Sequence, residues 1–248
     1  MTAKVRIHAY LAQIGIGSRR EMERQIQAGR IAINGKPAKL GQLIDPSTDA
    51  IKYRGKNITT SRSGVPSVII ALHKPRGVVT TMKDPEGRET VSKLVPRDYG
   101  RLFPVGRLDV MSEGLLLMTN DGEIANRMTH PRFEVPKTYE VRIRGQLDAK
   151  KVAYLERGVK SPEAKFKPVE VLDLREVTKE GLEKFKVTVR IYEGKNRHVR
   201  KLFDAVKCRV IRLKRISMGP ILLKGIPRGG YVILSKAQID HLRKDLGL

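Results

Sequence analysis

Cysteine is nearly absent: Cys208 stands alone in 248 residues. A lone thiol can neither close an intramolecular disulfide nor build a cysteine-based zinc site, which points to a reducing compartment, the cytoplasm. Tryptophan is missing and aromatic residues make up 5% of the chain, so any surface that stacks on nucleobases must draw on few rings. Five histidines are scattered without a His-Glu-x-x-His spacing, and no metal cluster is legible. No apolar stretch approaches the roughly 20 residues that cross a bilayer. The apolar run 9–17 follows Lys4 and Arg6, but Gln13 interrupts it and Arg19-Arg20 come soon after, which argues against a secretory signal. Acidic residues are scarce as well: 26 Asp+Glu face 50 Lys+Arg, a net charge of +24. Solubility of a small domain needs only about 2–8 net charges. The excess therefore describes a partner, a polyanion whose counterions are released on binding, with nucleic acid ahead of an anionic membrane surface.

What is present is enough for a real core, at 40% hydrophobic residues, and the length fits a small domain plus a larger one. Residues 4–53 read as a compact module. A first helix carries Ile7, Leu11 and Ile14 on one side and breaks at Gly15 and Gly17. Ser18-Arg19-Arg20-Glu21 then offers a capping box, with Met22 and Ile26 continuing the apolar face. Gly29 ends that helix, and Ile31-Ala32-Ile33 runs into Asn34-Gly35, a hairpin turn signal. Arg19 and Arg20 occupy a first turn where the helix dipole favours anions, and Arg24 and Arg30 lie nearby, so this module reads as a phosphate-binding face. Residues 1–66 hold twelve Lys/Arg against four Asp/Glu, a net of +8. Residues 54–66 read as a linker, which divides the chain into domains 1–60 and 67–248.

Beyond the linker the pattern is α+β with a largely antiparallel sheet. A short buried strand is expected at 68–72, half-buried strands at 137–145 and 185–191, and helices at 123–128, near 148–157, at 196–206 and at 235–245. Three places draw chemical interest. Asp109, in Gly106-Arg107-Leu108-Asp109, sets one carboxylate at the entrance to a buried apolar run, in a chain otherwise dominated by positive charge, and is a candidate nucleophile. The segment 193–201 brings Lys195, Arg197, Arg200 and Lys201 to the start of an amphipathic helix, again opposing the dipole; nine Lys/Arg and two Asp/Glu fall between 191 and 215. Arg200 follows an apolar-face residue, so it can turn inward to a carboxylate. Tyr139 shares a strand face with Val141 and Ile143, a place that suits a core tyrosine or a stacking ring.

These pieces carry two resemblances. Gly17-Ser18-Arg19-Arg20-Glu21, Ala28-Gly29-Arg30-Ile31 and Asn34-Gly35-Lys36 resemble an S4 RNA-binding domain, which implies RNA contact through Ser18, Arg19, Arg20, Arg24 and Arg30. Six motifs in order resemble the RsuA/RluB pseudouridine synthases across nearly all of 67–248. They include His73-Lys74-Pro75-Arg76-Gly77, Gly106-Arg107-Leu108-Asp109, Lys137-Thr138-Tyr139, Glu193-Gly194-Lys195-Asn196-Arg197 and Leu213-Lys214-Arg215. Asp84-Pro85-Glu86-Gly87-Arg88 and Pro227-Arg228-Gly229-Gly230 are most similar to the RluB branch, which acts on large-subunit ribosomal RNA. The RsuA branch, acting on the small subunit, and a non-catalytic ribosome-assembly factor are the alternatives. The resemblance implies that Asp109 attacks C1′ of a uridine or takes a ribose proton, that Arg200 is its ion-pair partner, and that Tyr139 stacks on the flipped uracil. It also implies that Arg107 fills the space the nucleotide leaves, with Lys195, Arg197 and Lys201 on RNA. Such a carboxylate works ionised, and an adjacent guanidinium stabilises its charge. The isomerisation transfers nothing from a donor, so no cofactor is expected; the partner is ribosomal RNA or an assembly intermediate, and the enzyme is expected to be a monomer.

Overall fold

The structure is a computed structural model that describes residues 4–58, 66–96, 98–160, 165–177 and 185–248. The chain divides into two compact units, Met1–Ser67 and Val68–Leu248.

In the first unit, β1 (Val5–Arg6) leads into α1 (Ile7–Gln13) and α2 (Arg19–Gln27). Ser18 accepts the Glu21 amide at 3.1 Å while the Glu21 carboxylate accepts the Ser18 amide at 3.3 Å, a reciprocal cap that starts α2. A four-stranded sheet follows: β2 (Ile31–Ile33), β3 (Lys36–Pro37), β5 (Ile51–Tyr53) and β6 (Lys56–Asn57), with β4 (Leu43–Ile44) pairing β1. Asn34 and Gly35 turn the first hairpin at φ of 50° and 80°, and Arg54 and Gly55 turn the second at 50° and 77°. Positive φ at both central residues is the turn whose twist matches paired strands. The expected linker therefore starts too early: residues 54–58 belong to this second hairpin, and residues 59–65 lie outside the described residues. Ile7, Leu11, Met22, Ile26, Ile31 and Ile44 form the unit's core.

Among the described residues the second unit has nine strands: β7 (Ile69–Lys74), β8 (Phe103–Val105), β9 (Glu113–Thr119), β10 (Lys137–Arg144), β11 (Glu170–Glu176), β12 (Phe185–Ile191), β13 (Arg209–Met218), β14 (Ile221–Leu222) and β15 (Tyr231–Ile233). Their order is β11-β12-β10-β13-β9-β7-β15, with β8 on β9 and β14 on β13. Every pairing among the described strands is antiparallel except β9 with β13, where Glu113 and Gly114 run parallel to Lys214 and Arg215. The strands β7 and β9 are buried on both faces. Ile70, Leu72, Leu116 and Met118 enter one core, and Ile69, Ala71, Leu115 and Leu117 enter another, which is why both stretches read as unbroken apolar runs.

Among the described residues, four α-helices cover the two faces. Leu155 of α4 (Ala149–Glu156) and Val199, Leu202 and Phe203 of α5 (His198–Ala205) pack into the first core; Ile124 and Met128 of α3 (Gly122–Thr129) and Ile239 and Leu242 of α6 (Lys236–Asp245) pack into the second. Asp121, Asp148 and Ser235 cap α3, α4 and α6 through their side chains. Helix α5 starts later than the sequence pattern suggests. Arg197 adopts a left-handed conformation (φ 51°, ψ 32°) as its N-cap, so Lys195 and Arg197 stand outside the helix and only Arg200 and Lys201 lie within its first turn. Among the described residues, no helix is long and apolar enough to cross a membrane.

Candidate active site

Asp109 sits in the loop that joins β8 to β9, and the first strand of the unit holds that loop in place. Lys74, fully buried at the end of β7, points its ammonium at a ring of backbone carbonyls: Ser112 at 2.8 Å, Pro75 at 2.9 Å, Asp109 at 3.3 Å and Val110 at 3.5 Å. The Thr80 hydroxyl donates to the Leu108 carbonyl at 2.7 Å and accepts the Leu108 amide at 3.3 Å. The Gly77 amide donates to the Val110 carbonyl at 2.8 Å. Residues 74–80 thus clamp 108–112 through backbone atoms and leave the Asp109 carboxylate free to face outward.

Arg200 approaches that carboxylate from α5. Its Nε lies 3.9 Å from Asp109 Oδ2, an ion pair too long to be a hydrogen bond, while its Nη1 donates to the Val210 carbonyl at 3.1 Å and its Nη2 to the Met111 carbonyl at 3.4 Å. Burial, and after it the Arg197 charge, push the Arg200 pKa down, against the pull of Asp109. The Asp109 side chain keeps 34% of its surface exposed and Arg200 12%, so the acid is reachable and its partner is behind it.

Asp109 opens into a cavity of about 140 Å³. Tyr139, Leu213, Lys137 and Arg215 come to its walls from β10 and β13, the buried His198 lines it from α5, and the exposed Arg107, Lys195 and Arg197 rim it. Tyr139 is buried, with its ring in the same core as Val141 and Ile143. A second groove, of about 480 Å³, runs from Arg197 past Arg200 to Lys207 and Arg209, carrying positive charge away from the first. The arrangement is one exposed carboxylate, one flat ring and a collar of cations, which suits a single base and its sugar drawn out of an RNA chain.

The comparisons point the same way. A family model described as RNA pseudouridylate synthase matches residues 68–205, and an S4 domain model matches residues 5–49. Ribosomal large subunit pseudouridine synthase B of Escherichia coli strain K12 is 41% identical over 244 residues, covering 96% of this chain and 82% of that protein. The protein of the same name from Salmonella typhimurium strain LT2 is 42% identical over 243 residues, with the same coverage. A crystal structure of a pseudouridylate synthase superposes with a TM-score of 0.66 at 26% identity, covering 96% of this chain and 99% of that one. The chain belongs to the RNA pseudouridylate synthase family.

Within this pseudouridine synthase, the residues singled out in the sequence fall into three groups. Asp109, Tyr139, Arg107, Lys195 and Arg197 line one cavity, and Arg200 stands behind Asp109. Lys201, one residue further along α5, does not line that cavity. Ser18, Arg19, Arg20, Arg24 and Arg30 belong to the separate S4 unit: Arg19, Arg20 and Arg24 are exposed and, among the described residues, have no ion-pair partner, Arg30 touches Gln25 at 3.3 Å, and the Ser18 hydroxyl is engaged as the helix cap. Sequence reasoning assigned no role to Lys74, Thr80, Lys137 or Arg215. The available signal was a charged residue closing an apolar strand, Ile69-Ile70-Ala71-Leu72-His73-Lys74, where only a side chain with many acceptors at hand can stay buried.

Burial drives two of these lysines well below their ordinary value. Lys74 falls to about 8, with the charges of Asp109 and Glu113 opposing the shift; Lys137 also falls to about 8, with Arg215 reinforcing it. Between about 8 and the ordinary 10.5 the unfolded chain holds more protons than the folded one, so both lysines add stability as pH rises through that window. In denaturant unfolding, wild type should gain about 2 kcal/mol on Lys137→Met between pH about 8 and about 10. Parallel slopes would place the Lys137 ammonium in water.

Proposed function

We propose that this enzyme isomerises a specific uridine of large-subunit ribosomal RNA to pseudouridine, in the cytoplasm and as a monomer. The observation that carries the reading is Asp109: its backbone is clamped by Lys74, its carboxylate opens into the cavity that Tyr139 walls, and Arg200 backs it at 3.9 Å. The names of the relatives support the large-subunit target, because the match runs through both domains and most of their length.

The chemistry follows from those positions. The target nucleotide leaves its stack, and Arg107, exposed at the cavity rim, occupies the gap it leaves. The uracil lies against Tyr139 with its sugar at Asp109. The carboxylate either attacks C1′ or removes the C2′ proton; on both routes the N1–C1′ bond breaks, the base turns, and C5 joins the same carbon. Arg200 lends its charge to the ionised acid while its two bonds to Val210 and Met111 keep it from swinging away. The basic groove from Arg197 to Arg209 takes the flanking phosphates, and Lys195 and Lys201 extend the same surface.

Release of tritium from transcripts labelled at uridine C5 tests the reading. Wild type should release label from 23S rRNA and leave 16S rRNA untouched, and cells lacking the protein should lose one pseudouridine from 23S rRNA. Release from 16S alone moves the enzyme to the small-subunit branch, and no release from either leaves an RNA-binding scaffold. The S4 unit has its own expected result. Arg19→Ala with Arg20→Ala should raise KM on long rRNA and reduce the salt slope of binding by about two at most, with kcat unchanged. Lost turnover at constant affinity would give the unit a role other than grip.

A further inference from the structure

Two cations lie in the cavity wall with no acid to pair with. Arg215 is 3% exposed and Lys137 7%. They arrive from neighbouring strands: Arg215 is the cross-strand partner of Tyr139, and Lys137 stands two residues before Tyr139 on β10, so all three share one face of the sheet. The Arg215 Nε donates to the Leu115 carbonyl at 2.7 Å, which fixes the guanidinium, but its Nη2 is buried and without a partner. The Lys137 ammonium donates to the Val135 carbonyl at 2.7 Å and feels the Arg215 charge directly. Among the described residues neither has an ion-pair partner. Buried charges in proteins are normally paired, and two like charges side by side raise the cost further. A spare buried donor in such a setting marks a place for negative charge that the protein does not supply.

The reaction proposed above supplies it, and the inference rests on that reading. When the N1–C1′ bond breaks, its electron pair stays with the base, so uracil leaves as an anion whose charge is shared by N1, O2 and O4. C5 of the same ring then bonds to C1′, the C5 proton goes to a base, and N1 takes up a proton; no atom is gained or lost. We infer that Arg215, with Lys137 beside it, forms an anion hole for the departing uracil, its Nη2 donating to a uracil carbonyl oxygen. Neutral uridine gains little from this charge, whereas the departing base gains much, so the pair favours bond cleavage over ground-state binding. It also holds the free base against Tyr139 while N1 gives way to C5, and a base so held does not escape.

The test varies how well the base leaves. Uridine or 5-fluorouridine is placed at the target position of a 23S rRNA transcript, and single-turnover loss of the intact nucleoside is measured in nuclease digests. Fluorine makes N1 more acidic, so the base needs less help. With uridine, Arg215→Gln should be slower than wild type by about 10²-fold and Lys137→Met by about 10-fold. With 5-fluorouridine both deficits should shrink severalfold, while affinity for the RNA stays within about twofold of wild type. A merely structural role slows both nucleosides alike, and that result, or wild-type rates in both variants, overturns the inference. Lys137→Met leaves the Arg215–Leu115 bond intact and carries the test if Arg215→Gln does not fold. Failure of wild type to consume either nucleoside would instead overturn the proposed function.

Discussion

Replacing Asp109 by asparagine should bring tritium release from 23S rRNA to background, at least about 10⁴-fold below wild type. The substitution keeps shape and removes charge. The loop around it is held by backbone atoms, Lys74 on the carbonyls of Asp109 and Ser112 and the Ser112 amide on the Asp109 carbonyl, and none of these depends on the side chain. The fold should survive, and so should RNA affinity, which resides in cations elsewhere. An amide can neither attack C1′ nor accept a ribose proton, so the loss falls on the chemical step. Thermal melting and filter binding on the same preparation separate the outcomes. Activity within about tenfold of wild type would remove Asp109 from the mechanism, since a side chain that forms or breaks bonds cannot be so dispensable.

The second large effect is on folding. Gly114→Ala should yield protein without a cooperative thermal transition, a loss of more than about 4 kcal/mol. Gly114 sits in β9 at φ 112°, opposite Arg215 across the parallel pairing. A β-carbon there would lie 2.2 Å from the Arg215 carbonyl oxygen and 2.5 Å from its nitrogen. Those are main-chain atoms of the strand it must pair with, so relief requires the strands to part. Gly122→Ala is the control: it starts α3, its φ is ordinary, and a methyl group there meets nothing within 4 Å. It should melt as wild type does. Equal behaviour of the two variants would mean that β9 and β13 approach each other less closely than described.

Much of this fold is legible where the determinants are local. The Ser18–Glu21 box lies within four residues, and Asn34-Gly35 carries its own turn. β12 runs over Phe185–Ile191, as its alternation indicates, because the residues it buries are apolar and those between them, Lys186, Thr188 and Arg190, are polar and half-buried. What was missed is tertiary in origin. β13 reads poorly as a strand because Arg209, Arg212, Lys214 and Arg215 crowd it, and because Arg215 points a charge into a buried cavity where alternation predicts an apolar side chain. The left-handed Arg197 shortens α5, and no residue type announces that: arginine is an ordinary helix former, so the surroundings impose the conformation. Lys74 hides for a related reason. Three of the four carbonyls that make its burial tolerable come from a loop some thirty-five residues away, and no pattern near position 74 carries them. The candidate acid, by contrast, is marked by its local context, Gly106 and Arg107 before it and a buried run after it, while the role proposed for it comes from the family resemblance.

The seam between β9 and β13 also joins segments far apart in the chain. Glu113 and Gly114 wait for Lys214 and Arg215, about a hundred residues later in synthesis, whereas β7 can meet β9 and β10 can meet β12 across far shorter intervals. Closing that loop costs about 0.6 kcal/mol more chain entropy than closing one half as long, and the β7–β15 pairing, between residues 70–72 and 231–233, spans a longer loop still. During translation the acid emerges from the ribosome well ahead of the strand that completes its cavity. A nascent chain can therefore hold RNA through its S4 unit before the cavity that Leu213 and Arg215 help to wall exists.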